Sequence, residues 1–172
     1  PERLDFEGKV VTPFDENAAR NVAKKFVELG VDSVAIVFLH SYVNPAHEQK
    51  MAAVMREVAP NIEVTVSSNL SRELREYERT STAVLDAYIK PLVRKYIGKL
   101  QDILSERGFK GLFLMTRSGG GAMTAESSKE SPANLILSGP AGGVLGASWF
   151  SKATGCGDLI TIDMGGTSLD AS

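Results

Sequence analysis

The sequence predicts a layered α/β fold with a mostly parallel or mixed sheet and helices on both faces. Three observations predict it. Apolar runs of strand length alternate with segments whose apolar residues recur at helical spacing. The connections between them are short, which suits strand–helix–strand crossovers. No Pro-, Gly- or Ser-rich linker and no strict repeat interrupts the order. The chain has 172 residues, 43% hydrophobic and 23% charged, with a formal net charge of -2. That balance suits a globular protein, and with no basic block it excludes a nucleic-acid footprint. No apolar run approaches the roughly 20 residues of a membrane span. A single cysteine, Cys156, cannot form an internal disulfide, so a reducing, cytoplasmic setting is expected. The chain opens on Pro1, not Met, and reads as a fragment or processed product.

KVVTP, residues 9–13, is a short strand closed by proline. Asp15 follows as an N-cap for a helix whose Ala18, Val22, Phe26 and Leu29 share one face, and Gly30 ends it. DSVAIVFLH has the continuous apolarity of a strand buried on both faces. Asn44-Pro45 opens the next helix, with Met51, Val54, Met55 and Val58 as its buried stripe; Pro60 stops it and IEVTV is the next strand. Leu74, Tyr77, Val84, Leu85, Tyr88, Leu92, Tyr96, Leu100 and Leu104 then predict one long amphipathic helix, or two if Pro91 breaks it near Lys90. The tyrosines of that stripe are expected in the core or at an interface between lobes, and Gly108 caps the end.

The final third changes character. GLFLMTRSGGG, NLILSGPAGG and LITIDMGGTS each run from apolar residues into glycines. Glycine admits close backbone approach, and exposed amides in such turns bind anions. Loops at the carboxyl ends of parallel strands gather on one sheet edge, so Ser118–Gly121, Gly139–Gly143 and Asp163–Ser168 are expected along one edge. DMGGTSLD lacks the lysine of a P-loop and is not GxGxxG. It offers an aspartate at a strand end, the amides of Gly165 and Gly166, and the hydroxyls of Thr167 and Ser168. That set suits a polyphosphate with hydrated Mg²⁺ at Asp163. From spacing alone, a tight turn capped by Asp163 fits the same residues.

DMGGTSLD resembles the second phosphate loop of the actin, sugar-kinase and heat-shock ATPase superfamily, and SGPAGGVLGASWFSKATG resembles the helix that precedes that loop. More narrowly, REYERTST (75–82), SGGGAMT (118–124), LSGPAGGVLGA (137–147) and DMGGTSLD together resemble the hydantoinase A, 5-oxoprolinase and acetone carboxylase β-subunit family. The resemblance implies a fragment of a ribonuclease-H-like, actin-like ATPase lobe. Residues 1–70 would be the end of the N-terminal hydantoinase/oxoprolinase region, and 71–172 the start of the hydantoinase A domain. It implies an ATP-dependent hydrolase of cyclic amides (hydantoin, N-methylhydantoin or 5-oxoproline) that activates a carbonyl by phosphorylation. A ketone-phosphorylating carboxylase subunit and a chaperone-like ATP-binding module are the alternatives.

Carried over by position, Asp163 and Asp170 are the catalytic candidates, with Asp163 ordering Mg²⁺. Gly165, Gly166, Thr167 and Ser168 would contact ATP phosphates. Gly139, Gly142 and Gly143 would admit nucleotide or the partner lobe, and Ser118, Gly119 and Gly120 complete the nucleotide set. Leu169 departs from the family, where threonine is common. A first phosphate loop and an adenosine site are absent from these residues, so the implied partners are the missing lobe and a hydantoinase B-type subunit. The fragment alone is expected to be inactive.

Other residues carry weaker signals. Arg75 and Arg79, four apart, share a helical face that reads more readily as solvated and laced with ion pairs than as a substrate contact. His40 and His47 lack a ligand cluster and read as surface or packing residues. Ser118 is not in a GxSxG elbow, and Cys156 reads as an unreactive thiol. Trp149 and Phe150 read as packing residues.

Overall fold

A computed structural model describes residues 1–172, which divide into two compact units, Pro1–Tyr96 and Ile97–Ser172. The first unit opens with β1 (Arg3–Leu4) and β2 (Val10–Thr12), an antiparallel pair. Helix α1 (Glu16–Leu29) starts where Asp15 accepts a hydrogen bond from the Ala18 amide at 2.9 Å. It ends at Gly30, whose φ of 66° closes the helix in the left-handed region that glycine enters without strain. Strand β3 (Ser33–Ile36) is shorter than the apolar run DSVAIVFLH, because the chain turns after Phe38. Helix α2 (Ala46–Val58) follows; Asn44 Oδ1 accepts from the Ala46 amide, while Asn44 Nδ2 donates to the Gly8 carbonyl. Strand β4 (Glu63–Val66) pairs with β3 in parallel, Ile36 opposite Val66, completing a strand–helix–strand unit.

The pleat explains the layering. Val64 and Val66 face the core that Ala19, Ala23, Met51, Ala52 and Met55 of α1 and α2 build with Ile36. Thr65, between those valines, faces the opposite way and donates to Asp86 Oδ2 at 2.7 Å on α4 (Glu76–Glu106). Helices therefore flank both faces of the parallel pair. At the solvent side, Arg20 bridges α1 to α2 through Glu57 at 2.7 Å, and that bond holds the Glu57 carboxyl below its ordinary range. A 4-residue helix, α3 (Ser67–Leu70), continues directly from β4.

Helix α4 runs unbroken through Pro91, and its buried face is not the apolar one the spacing suggested. Arg79, Ala83, Asp86, Ala87, Lys90 and Ile97 are buried, whereas Tyr77, Val84, Leu85, Tyr88, Leu92 and Tyr96 are exposed. Both rows have helical periodicity; hydrogen bonding decided between them. Lys90 Nζ donates to the Val64 carbonyl at 3.2 Å and lies 3.7 Å from Asp86, so the polar row is partnered by the strand edge. Gly108, at φ 74°, closes the helix as expected.

In the second unit, β5 (Leu114–Thr116) and β6 (Ala122–Thr124) form an antiparallel hairpin. Helix α5 (Ala125–Glu130) begins at Thr124, whose side chain accepts from the Ser127 amide. NLIL is not a strand: Pro132–Leu135 is a 3-10 helix that leads into α6 (Ser138–Thr154). Strands β7 (Ile162–Met164) and β8 (Leu169–Ala171) form the last antiparallel hairpin. The strands make four separate two-stranded sheets, one parallel and three antiparallel, so the three glycine stretches do not line one edge of one sheet. Trp149 and Phe150, read as packing residues, are exposed on α6.

The Asp86–Lys90 pair yields a test. Asp86→Ala would leave the Lys90 ammonium buried without its carboxylate, and should destabilise the fold by about 3–5 kcal/mol in denaturant unfolding. Asp86→Leu combined with Lys90→Met should recover most of that loss; a double variant as unstable as the single one would show that the pair is not the cause.

Candidate functional site

The turn Gly165–Ser168 joins β7 to β8, and its closure is local: the Gly165 amide donates to the Ser168 carbonyl at 3.0 Å. That bond commits the Gly165 amide to the turn. At the tip, the amides of Gly166 and Thr167 and the hydroxyls of Thr167 and Ser168 make no hydrogen bond within the chain. Neither Gly165 nor Gly166 has a positive φ. Their lack of a side chain matters here for close approach, not for backbone conformation.

Hairpin register sets the carboxylates. Asp163 pairs directly with Asp170, so both side chains leave the same face of the hairpin. Two like charges directly opposed across strands repel, and a cation between or beside them relieves that repulsion. A shallow cleft of about 230 Å³ is lined by Asp163, Asp170 and Thr161 on one side and by Pro140, Gly143, Val144 and Ala147 of α6 on the other. The structure thus brings together three residues singled out in the sequence: Asp163, Asp170 and Gly143. No group of three or more His, Cys, Asp or Glu side chains forms a closed metal cage. An open carboxylate pair suits Mg²⁺, which keeps several of its waters. It does not suit a structural zinc ion.

The other glycines take different places. Gly139, Gly142 and Gly143 lie in the first turns of α6, and a Cβ at any of them would meet nothing within 4 Å. Gly119 sits in the β5–β6 turn; beside it Gly120 has φ 85°, a conformation that favours glycine, and a Cβ there would come within 3.2 Å of the end of the Leu145 side chain on α6. Ser118 is committed to local structure. Its amide donates to the Asn134 carbonyl at 2.8 Å, and its hydroxyl reaches the carbonyls of Asn134 and Ile136. That arrangement fixes the approach to α6.

The weaker candidates are also placed. His47 is buried, its Nδ1 2.7 Å from Glu2 Oε2, which is a packing role. Cys156 is exposed and free. Arg75 is exposed and precedes α4, but Arg79 is buried, so the two do not form one solvated face. The sequence offered only the i,i+4 spacing for this pair, which is silent on burial.

Comparison with known proteins places this chain among larger ones. The family described as Hydantoinase/oxoprolinase matches residues 79–172, and the Hydantoinase/oxoprolinase N-terminal region matches residues 1–59. The acetophenone carboxylase gamma subunit of Aromatoleum aromaticum is 34% identical over 99% of this chain and 24% of its own length. The 5-oxoprolinase of Saccharomyces cerevisiae is 36% identical over 95% of this chain and 12% of its own. The crystal structure of the ATP-dependent caprolactamase from Pseudomonas jessenii superposes with a TM-score of 0.88 at 34% identity, over 99% of this chain and 25% of that one. The chain thus spans about a quarter or less of the relatives it matches.

An open hairpin with a few free donors competes poorly with water for a hydrated triphosphate. These 172 residues by themselves should bind Mg·ATP with a Kd no better than about millimolar, near 4 kcal/mol of binding free energy. Isothermal calorimetry on the isolated chain measures it. A micromolar Kd would show that the site is complete within these residues.

Proposed function

This chain belongs to the hydantoinase/oxoprolinase family, and on that premise we propose that the protein containing it uses ATP to activate a carbonyl of a small molecule, with cyclic amides as the substrate class. The observation that carries the proposal is the facing pair Asp163 and Asp170 beneath a turn whose tip donors are unspent. Amide resonance makes a lactam carbonyl a poor electrophile. If its oxygen bonds the γ-phosphorus of ATP as the bond from γ-phosphorus to the bridging oxygen breaks, the carbon becomes open to water. A site for that transfer has to orient phosphate and neutralise charge more than it has to do covalent chemistry.

The residues present fit those tasks. Asp163 and Asp170 would hold Mg²⁺ through its waters, and the amides of Gly166 and Thr167, with the hydroxyls of Thr167 and Ser168, would hold phosphate oxygens. The metal, when bound, would neutralise phosphate charge during transfer. Gly143, on the α6 side of the cleft, leaves room for a ligand to approach the helix backbone. The rest of the longer protein would supply the opposing phosphate loop and the adenosine pocket. Hydantoins, N-methylhydantoins and 5-oxoproline are the substrates of choice, supported by relatives whose names denote two lactams. A partner subunit of hydantoinase B type accords with the subunit name of the acetophenone carboxylase relative. The free Cys156 suits a cytoplasmic setting.

The same relative, aligned over nearly the whole chain, favours a second reading in which a ketone oxygen receives the phosphoryl group before carboxylation. ATP turnover of the intact protein with lactams, set against ketones plus bicarbonate, separates the two. Within either reading, Asp163→Asn keeps the shape and removes the charge. Its kcat should fall by about a hundredfold, the scale of losing one preorganised electrostatic group. Its melting temperature should stay level or rise slightly, because a like-charge pair has been broken. Unchanged turnover would remove Asp163 from the mechanism.

A further inference from the structure

A second polar cluster stands at the carboxyl ends of the parallel strands β3 and β4, built from residues that the proposed phosphate site does not use. Its centre is Arg79, only 1% exposed. Nη2 donates to the Phe38 carbonyl at 2.7 Å, and the guanidinium carbon lies 5.7 Å from the centre of the Tyr42 ring. Nε and Nη1 have no hydrogen-bond partner. The one buried carboxylate joined to this network is already committed: Glu48 accepts from the Phe38 amide at 2.8 Å, the Ser67 hydroxyl at 2.7 Å and the Ser68 amide at 3.0 Å.

Three more buried polar atoms lie on the turn that meets Arg79 and on the segment that Glu48 ties to Phe38. Ser41 Oγ and His40 Nδ1 are unpartnered in the turn that carries Tyr42, and Ser68 Oγ is unpartnered beside the residue that holds Glu48. His40 has a φ of 60°, an unusual conformation for a residue with a Cβ. Buried polar groups are nearly always hydrogen-bonded, and a buried cation without an anion is a large penalty. Five such atoms, two on Arg79 itself, two on the turn that holds it and one on the segment that Glu48 ties to that turn, are therefore not a packing accident. Their place, beyond the carboxyl ends of parallel strands, is where ligands of open α/β sheets collect. Strained backbone also clusters at ligand sites.

We propose that Arg79, with Ser41, Ser68 and His40, forms a binding site for a small-molecule oxyanion, a carboxylate or a phosphate group. Arg79 supplies the charge and two directions of N–H donation. The hydroxyls of Ser41 and Ser68 donate to further oxygens, and His40 Nδ1 donates in its protonated tautomer. Carboxylate and phosphate oxygens make the same demand on these donors, so the chemistry is shared.

The test uses the full-length protein that carries this chain, without nucleotide, in thermal unfolding at constant ionic strength. One series adds inorganic phosphate, and another adds 5-oxoproline, a cyclic amide bearing a carboxylate. Wild type should show a saturable rise in Tm with at least one of them, and whichever acts identifies the source of the anion. The rise should survive Thr167→Ala, which probes the β7–β8 turn. Arg79→Met should abolish it while leaving the anion-free Tm at or above that of wild type, since an unpaired buried cation has been removed. If Arg79→Met does not fold, Ser41→Ala and Ser68→Ala serve instead, each expected to weaken the apparent affinity by about fivefold to tenfold. No response of wild type to either probe would overturn the proposal. So would a full response in Arg79→Met or, where that variant does not fold, unaltered affinity in both serine variants.

Discussion

The first unit depends on one buried carboxylate. Glu48 sits in the first turn of α2 with no exposure, yet its oxygens accept from the amide of Phe38, the hydroxyl of Ser67 and the amide of Ser68. Phe38 follows the end of β3, and Ser67 follows the end of β4. One side chain thus satisfies backbone donors where both parallel strands stop making ladder bonds, and ties them to the helix that connects them. A carboxylate accepting two backbone N–H bonds and a hydroxyl is stable in the interior only because all these partners are fixed. That fixing sets the path of residues 38–44 and the position of the Phe38 carbonyl, which in turn holds Arg79.

The two units display opposite electrostatic strategies. In the first, charge is taken inside and met by fixed polar groups: Asp86 by the Thr65 hydroxyl, Lys90 by the Val64 carbonyl, and one Arg79 nitrogen by the Phe38 carbonyl. Buried positions make such contacts strong and leave them little room to adjust. In the second, Asp163 and Asp170 stand on an exposed hairpin, where solvent weakens their mutual repulsion and their pull on any ligand. A buried cation can discriminate among anions by shape, while an open carboxylate pair can exchange a hydrated metal readily.

The legibility of the sequence followed the range of the interactions. Caps are local, so Asp15, Gly30 and Gly108 announced the ends of their helices, and the core stripe of α2 was visible at Met51, Val54 and Met55. The inward face of α4 was not, because Arg79, Asp86 and Lys90 look solvated until β4 and the Phe38 turn supply their partners. Those partners lie 21 to 41 positions away in sequence. DMGGTSLD stood out only by its resemblance to a phosphate loop. Its form as a hairpin, with Asp163 opposite Asp170, depends on register, and no single residue encodes register. NLIL shows the converse: of four residues with strand-like appearance, Asn134 and Leu135 end a 3-10 helix that starts at Pro132, and Ile136 and Leu137 turn into α6.

The row Tyr77, Val84, Leu85, Tyr88, Leu92 and Tyr96 on α4 bears on how these residues behave as a reagent. Each of the six is at least 45% exposed, so a ridge of aromatic and aliphatic surface runs along one side of a 31-residue helix. Apolar patches of that kind draw molecules together in proportion to concentration. An excised chain is therefore expected to scatter light and to elute early from sizing columns as it is concentrated, and mild detergent or polar replacement of the tyrosines offers the direct remedy.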